Sequence, residues 1–304
     1  MLRNPEGSGD RLRAPQFVVC DLDGVVWNGD DVCPGAPEAI AQLRTRGVRI
    51  VFLTNSAARS RSDVAARLES MDVPARPGDV ITGAVSGARL LSNRLPIGSP
   101  VLVVGTDALI EAVAEVGLIP VSPHSETAER DIADFDAVIV GLTPKFGYTD
   151  IAVASAAVRS GAWLVATNGD PTFPHGGGQL PGAGALVSSI ETASGVNAAI
   201  AGKPGFGAYL ALREWLVGQG VKTLSCRHQQ SEMGMASLRH DPVIAPIAVE
   251  GVVIGDRRST DGAFAQALGW PFIEVRSVSS ESPSPVPVAV TVPSLLDAVA
   301  GVAG

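Results

Sequence analysis

Short apolar runs recur along this chain, separated by residues that favour turns or helices. The runs at 17–20 and 49–53 lack the alternation of a half-exposed strand, which is typical of a parallel sheet that is covered on both faces. Pro34-Gly35 lies between them, ahead of a helical pattern at 36–46. The pattern predicts a strand–helix–strand unit with a right-handed crossover.

The same alternation of strands and helices continues along the chain and predicts an α/β fold with a doubly wound parallel sheet. We expect further strands at 80–81, 101–104, 137–140, 163–166, 198–201, 251–254 and 288–291. We expect further helices at 60–70, 84–94, 106–116, 149–159, 187–194, 205–217 and 293–300.

The length of the chain indicates two domains, because 304 residues exceed the usual size of one. We expect a disordered polar leader at 1–14, a main domain formed by 15–83 and 191–304, and a smaller α/β domain inserted at 84–190. Gly83 would be the hinge, and strand 198–201 would return the chain to the main sheet.

Charge and cysteine content argue against some binding partners and indicate the compartment of the protein. The net charge of −8 and the pI near 5.0 disfavour nucleic acid or an anionic membrane as partner. No apolar run approaches the roughly 20 residues of a membrane span. Cys20, Cys33 and Cys226 form no paired motif, which indicates a reducing compartment such as the cytoplasm. An anionic substrate would need local positive charge.

Two carboxylates end the first predicted strand, in the segment Asp21-Leu22-Asp23-Gly24. Open α/β sheets bind ligands at the carboxyl ends of their strands, and two acids this close repel each other unless a cation or a shared proton relieves them. Mg²⁺ is the expected partner because it prefers oxygen ligands. Gly24 permits a sharp turn close to a ligand. The alternative is a solvated acidic turn.

Three later segments carry polar groups that fit the same kind of site. Thr54-Asn55-Ser56 follows a strand, and Ser56 could cap a helix whose free N–H groups suit phosphate oxygens. Lys203, one of three lysines, lies between glycine and proline and is expected to be a positioned charge. Asp256 and Asp261 follow another apolar strand. A simple helix cap, a loop lysine and an acidic turn are the alternative readings.

These four segments, in this order, resemble the four motifs of the haloacid dehalogenase superfamily of phosphotransferases. The resemblance covers about residues 15–304. More narrowly, the chain resembles the branch with a large α/β cap between the second and third motifs. That branch includes nitrophenyl phosphatases, phosphoglycolate and glycerol phosphate phosphatases, and nucleotide monophosphatases. It implies a Rossmann-like core, an inserted cap domain and Mg²⁺ as the cofactor.

The resemblance implies a chemical role for each motif residue. Asp21 would be the nucleophile that forms an aspartyl phosphate, and Asp23 would protonate the leaving oxygen and then activate water. Thr54 and the backbone of Asn55 would bind the phosphate, and Lys203 would neutralise charge beside the nucleophile. The halide-removing members of the superfamily lack an acid at the position of Asp23, so its presence favours phosphate ester chemistry.

The implied Mg²⁺ site uses the same group of acids. Asp21 and Asp256 would bind the ion together with the backbone carbonyl of Asp23, and Asp261 would support it directly or through a neighbour. One departure from the family pattern lies beside this site. Arg258 stands where many relatives have proline, which adds a positive charge and removes no ligand.

The inserted domain is expected to determine the substrate, because a lid excludes water and holds the leaving group. By resemblance, Asn168, Asp170 and the loop 182–184 face the active site and bind the substrate; a plain turn is the alternative for Asp170. His175 lies in a glycine-rich loop and could contact the substrate or be solvated. Trp27 could line the entrance or pack against the cap.

The sequence thus predicts a Mg²⁺-dependent phosphatase of small phosphorylated metabolites such as glycerol phosphate or phosphoglycolate, with homodimerisation through the cap left open. A phosphotransferase or phosphomutase that passes the phosphate to a sugar is the alternative enzyme. A catalytically impaired binding module is a third reading, because residues 221–250 interrupt the resemblance without clear periodicity.

Overall fold

The computed structural model describes residues 15–125, 132–175, 178–222, 247, 249–277 and 285–302. The expected leader at 1–14 and most of segment 221–250 lie outside these ranges. Parallel strands alternate with helices through the described ranges, which confirms the predicted α/β class. None of the helices in these ranges is long and apolar enough to cross a membrane.

The elements are numbered in chain order. The strands are β1 (Phe17–Cys20), β2 (Trp27–Asn28), β3 (Asp31–Val32), β4 (Arg49–Leu53), β5 (Val80–Ile81), β6 (Pro100–Val104), β7 (Ile119–Val121), β8 (Ala137–Val140), β9 (Trp163–Ala166), β10 (Thr172–His175), β11 (Gly178–Pro181), β12 (Ala199–Ile200), β13 (Gly251–Gly255), β14 (Phe272–Val275) and β15 (Val290–Val292). The helices are α1 (Ala36–Thr45), α2 (Arg61–Ser70), α3 (Gly83–Ser92), α4 (Asp107–Glu115), α5 (Tyr148–Arg159), α6 (Ala183–Ser194), α7 (Phe206–Gly218), α8 (Ala263–Leu268) and α9 (Leu295–Val302).

The first sheet is parallel, with six strands in the order β15-β14-β13-β1-β4-β5. Every residue of β1 is buried, because helices cover both faces. Phe17 and Val19 face a cluster that includes α7 and α8, whereas Val18 and Cys20 face α1, α2 and α9. Burial on both faces is the physical reason why this strand shows no apolar–polar alternation.

The second sheet is also parallel, in the order β12-β9-β8-β6-β7. The strand expected at 198–201 forms as β12, but its predicted place in the main sheet is wrong. Ala199 and Ile200 pair with Val165 and Ala166 of β9, at the edge of the second sheet. Such a short strand carries no pattern that identifies its partner. Because β12 belongs to the second sheet, the chain reaches the edge of the first sheet only in the loop after β12, at Lys203.

Helices α3, α4 and α7 lie between the two sheets and join them through one continuous apolar cluster. Gly83, the expected hinge, begins α3 in a tightly packed position. A Cβ atom there would lie 2.2 Å from the carbonyl oxygen of Asn55, so only glycine allows this approach. The predicted domain boundaries remain a prediction.

The sequence pattern did not predict the hairpins β2–β3 and β10–β11, the strands β7 and β14, or the helix α8. These elements have six residues or fewer, too few to show a reliable period. Ser56 does not cap a helix as expected. Ser60 caps α2 instead, in a capping box with Asp63, because the chain runs four residues further before it turns into the helix.

Candidate active site

The predicted motif residues meet at one edge of the first sheet. Asp21 follows β1, Thr54 follows β4 and Asp256 follows β13, so parallel strands bring all three to the same side. Lys203 reaches this edge from the loop after β12. From β1, strands β4 and β5 are added on one side, and strands β13, β14 and β15 are added on the other. Open α/β sheets bind ligands at such a change in strand order.

Lys203 is the buried centre of the site, with 3% of its surface exposed. Its Nζ donates to Asp21 Oδ1 at 2.7 Å, to Asp261 Oδ1 at 2.6 Å and to the carbonyl oxygen of Leu53 at 2.7 Å. These contacts use all three donors of an ammonium group. Burial alone lowers the pKa of Lys203, but the two carboxylates outweigh it and raise that pKa above its usual value. Lys203 is therefore a permanent positive charge.

Three buried carboxylates cluster at this lysine, and two of them, Asp21 and Asp261, contact it. Oxygens of Asp21, Asp256 and Asp261 all lie within 4.8 Å of one another. Burial raises the pKa of Asp21 well above its ordinary value, and Asp261 adds to that effect. Burial also raises the pKa of Asp256 to about 6, although the hydroxyl of Ser277, 2.6 Å from Oδ2, acts in the opposite direction. The cluster suits a divalent cation with oxygen ligands.

Gly24 shows how tightly the chain closes around these acids. Its φ is +78°, and a Cβ atom there would lie 2.4 Å from Asp256 Oδ2. Any other residue would be strained in the left-handed region and would press on the carboxylate. The glycine expected beside the acids is therefore required by both the turn and the approach.

The carboxylate of Asp23 is not part of the three-acid cluster and is held by different groups. Trp27 Nε1 donates to Asp23 Oδ1 at 2.9 Å, and Thr54 Oγ1 donates to Asp23 Oδ2 at 3.4 Å. The predicted use of the Asp23 carbonyl as a metal ligand stays a prediction. The contact of Trp27 with Asp23 corresponds to neither of its expected roles, and nothing in the sequence signalled it.

Asn55 holds Lys203 in place through its side chain. Its Oδ1 accepts from the Lys203 backbone N–H at 2.7 Å, and its Nδ2 donates to the Lys203 carbonyl at 3.1 Å. The two residues are 148 positions apart, so no local pattern could reveal this pairing. The predicted phosphate contact of the Asn55 backbone is untested.

Asn168 and Asp170 follow β9 and link the second sheet to the first. Asn168 Nδ2 donates to the Asn55 carbonyl at 2.8 Å, and its Oδ1 accepts from the Asp170 N–H at 3.1 Å. Arg257, which follows Asp256, donates from Nη1 to Asp170 Oδ1 at 3.1 Å. Both residues thus lie beside the site, and their binding of substrate stays a prediction.

The remaining candidates have simpler surroundings. Gly184 packs against the carbonyl oxygen of Gly169, where a Cβ atom would lie 2.3 Å away, so it supports the 168–170 loop. Arg258 does not add a free charge to the site, because Glu274 binds its guanidinium with contacts of 2.6 and 2.7 Å. The side chain of His175 lies outside the described part of the structure.

The chain is similar in sequence to known hydrolases. Residues 18–119 match the model of the haloacid dehalogenase-like hydrolases. A D-glycerol 3-phosphate phosphatase of Mycobacterium tuberculosis is 42% identical over 187 residues, which are 62% of this chain and 50% of that protein. The match thus spans half the length of that relative. An acid sugar phosphatase of Staphylococcus aureus is 32% identical over 193 residues, 64% of this chain and 71% of that protein.

A solved structure is similar in fold to most of the chain. The crystal structure of a glycerol phosphate phosphatase from Mycobacterium tuberculosis in complex with magnesium matches 93% of this chain and 75% of its own, with a TM-score of 0.75 and 33% identity. This chain belongs to the haloacid dehalogenase-like hydrolase family.

Proposed function

We propose that this protein is a Mg²⁺-dependent phosphatase that hydrolyses small phosphomonoesters through an aspartyl phosphate on Asp21. The observation that carries the proposal is the contact of buried Lys203 with Asp21 and Asp261, inside a cluster of three buried carboxylates. A surface acidic turn has neither the burial nor the lysine. The relatives named as phosphatases support the same chemistry.

The residues present fit Mg²⁺. Asp21, Asp256 and Asp261 offer only carboxylate oxygens, which hard cations prefer over nitrogen or sulfur ligands. The magnesium complex of the mycobacterial phosphatase supports this choice of ion. When bound, the ion would offset the phosphoryl charge so that one anion can attack another.

The protein residues then perform a two-step transfer. Asp21 attacks phosphorus, an Asp21–phosphate bond forms, and the bond from phosphorus to the leaving oxygen breaks while Asp23 gives that oxygen a proton. In the second step Asp23 takes a proton from water, the water oxygen attacks phosphorus, and phosphate leaves Asp21. Lys203 favours the ionised form of Asp21 for its attack on phosphorus and orients that carboxylate.

Residues 84–190, which form most of the second sheet and its helices, are proposed to act as the cap that selects the substrate. The contacts of Asn168 with Asn55 and of Asp170 with Arg257 support this, because they bring that layer to the rim of the site. Glycerol phosphate is the preferred substrate, since the relative with 42% identity is named for it, and phosphoglycolate is the next. A cytoplasmic location and homodimerisation through the cap remain predictions.

The test is phosphate release from glycerol 3-phosphate and 2-phosphoglycolate, with Mg²⁺ or with EDTA. We expect Mg²⁺-dependent release that Asp21→Asn abolishes. Asp72→Asn makes the same chemical change on an exposed residue and should leave the rate unchanged. Added acceptor alcohol that captures most of the phosphate would indicate a phosphotransferase. A folded wild type that releases no phosphate from any ester would overturn the proposal.

A further inference from the structure

The segment after the nucleophile folds back on itself and brings a tryptophan to the second acid. The N–H of Gly24 donates to the Trp27 carbonyl at 2.7 Å, and the N–H of Trp27 donates to the Leu22 carbonyl at 3.1 Å. This tight turn points the indole of Trp27 towards Asp23, four residues earlier. Its Nε1 donates to Asp23 Oδ1 at 2.9 Å.

The indole is held firmly enough to orient a neighbour. Trp27 is 4% exposed and packs in the apolar cluster beneath β1. The guanidinium of Arg67 lies over its ring, 4.5 Å from the centroid, and Arg67 also donates to the Gly29 carbonyl. Asp23 itself is exposed, so this contact and the longer one from Thr54 are what orient its carboxylate.

The two oxygens of Asp23 therefore face different chemistry. An indole N–H is only a donor, so Oδ1 must accept and cannot carry a proton towards it. The hydroxyl of Thr54, next to Oδ2, can donate or accept, so Oδ2 can hold a proton without losing its neighbour. Resting on the proposed function, we propose that Trp27 is a positioning residue that reserves Oδ1 as an acceptor, and that Oδ2 delivers the proton to the leaving group.

This role ties Trp27 to one part of the reaction. As the bond from phosphorus to the ester oxygen breaks and Asp21 bonds to phosphorus, the proton on Asp23 Oδ2 moves to the departing oxygen. A glycerol alkoxide needs that proton, whereas p-nitrophenolate leaves without it because its charge is delocalised. Loss of the Trp27 contact should therefore slow an alkyl phosphate much more than an aryl phosphate.

The experiment compares kcat/KM for glycerol 3-phosphate and for p-nitrophenyl phosphate, since kcat/KM reports the step in which the leaving group departs. Trp27→Phe keeps an aromatic ring for Arg67 and removes the N–H donor together with the rest of the five-membered ring of the indole. We expect a loss of roughly 10-fold to 100-fold with glycerol 3-phosphate and of less than about 3-fold with p-nitrophenyl phosphate.

Trp215→Phe is the matched control. Trp215 is buried against Phe17 in the core, and among the described residues its Nε1 has no hydrogen-bond partner. The same atoms are removed there, so the ratio of the two kcat/KM values should equal that of the wild type. Measuring both melting temperatures separates a folding defect from a change in chemistry.

A double-mutant cycle with Asp23→Asn provides the stricter test. If Trp27 acts through Asp23, Trp27→Phe should cause no further loss with glycerol 3-phosphate in the Asp23→Asn background. If Trp27→Phe does not fold, Arg67→Met keeps the indole, removes the group stacked on it and should shift the substrate ratio in the same direction.

Equal losses with both esters, or losses that multiply in the double mutant, would overturn the role of Trp27. Such a result leaves the proposed function intact, because the wild type still turns over both esters. A wild type that hydrolyses neither ester instead defeats the proposed function itself.

Discussion

Replacing Asp256 with asparagine should stabilise the metal-free protein. In the absence of an ion, the buried Asp256 carboxylate lies beside two others, and its pKa rises from 3.8 to about 6. Because the folded state holds this proton more tightly than the unfolded state, the free energy of unfolding falls as the pH rises from 3.8 to about 6 and stays lower above that. The neutral amide keeps the shape and the Ser277 contact and removes that cost.

The pKa change sets the expected magnitude. A rise from 3.8 to about 6 corresponds to roughly 3 kcal/mol, which for a chain of 304 residues is a shift in melting temperature of roughly 5 °C. The gain should be complete at pH 7 and should disappear below about pH 4, where the carboxyl is protonated in both the folded and the unfolded state.

Mg²⁺ should remove most of the stability difference between the two proteins. An ion at 100 times its dissociation constant stabilises the folded wild type by about 2.7 kcal/mol, whereas Asp256→Asn has lost a charged ligand and should gain much less. Melting temperatures are measured in EDTA and in Mg²⁺ from pH 4 to pH 7, with Asp72→Asn as the control. An Asp256→Asn variant that is less stable than the wild type in EDTA at pH 7, or that Mg²⁺ stabilises equally, would refute the reasoning.

Three further changes test other parts of the site and fold. Asn55→Asp puts an acceptor against the Lys203 carbonyl, so kcat/KM for glycerol 3-phosphate should fall roughly 10-fold to 100-fold. An unchanged value would contradict the role of Asn55 in holding Lys203. Glu274→Gln should cost about 1 kcal/mol at pH 7. Arg258 lowers the pKa of Glu274 from 4.5, so this difference in melting temperature should shrink as the pH falls below that value, and a constant difference would count against the ion pair. Gly24→Ala puts a methyl group 2.4 Å from a carboxylate oxygen and should weaken Mg²⁺ binding at least about 10-fold by calorimetry; wild-type affinity would exclude the predicted clash.

The strand ends were the most predictable part of the site. Asp21, Thr54 and Asp256 each follow a short apolar run, and strands of a parallel sheet end at the same edge. Local pattern and one topological rule therefore sufficed to place them together. Lys203 has no such strand of the first sheet before it, and its place at the site was expected only through the family resemblance.

The contacts that orient these groups could not be predicted, because they join residues that are distant in sequence. Asn55 and Lys203 are 148 positions apart, and Asp170 and Arg257 are 87 apart. Both contacts depend on how the second sheet packs against the first. Helix α6 shows the same limit locally. The glycines at 182 and 184 suggested a loop, and the helix was expected to begin at 187. It begins at Ala183 instead and includes Gly184, which packs against the Gly169 carbonyl.

The most direct test of the central claim is to trap the phosphorylated aspartate. The wild type is quenched during turnover of p-nitrophenyl phosphate with Mg²⁺ and reduced with borohydride, which converts an aspartyl phosphate to homoserine. Peptide mass spectrometry should find homoserine at position 21 in the wild type and none in Asp21→Asn. Phosphate release without homoserine at position 21, or with homoserine at another acid such as Asp256, would contradict the account.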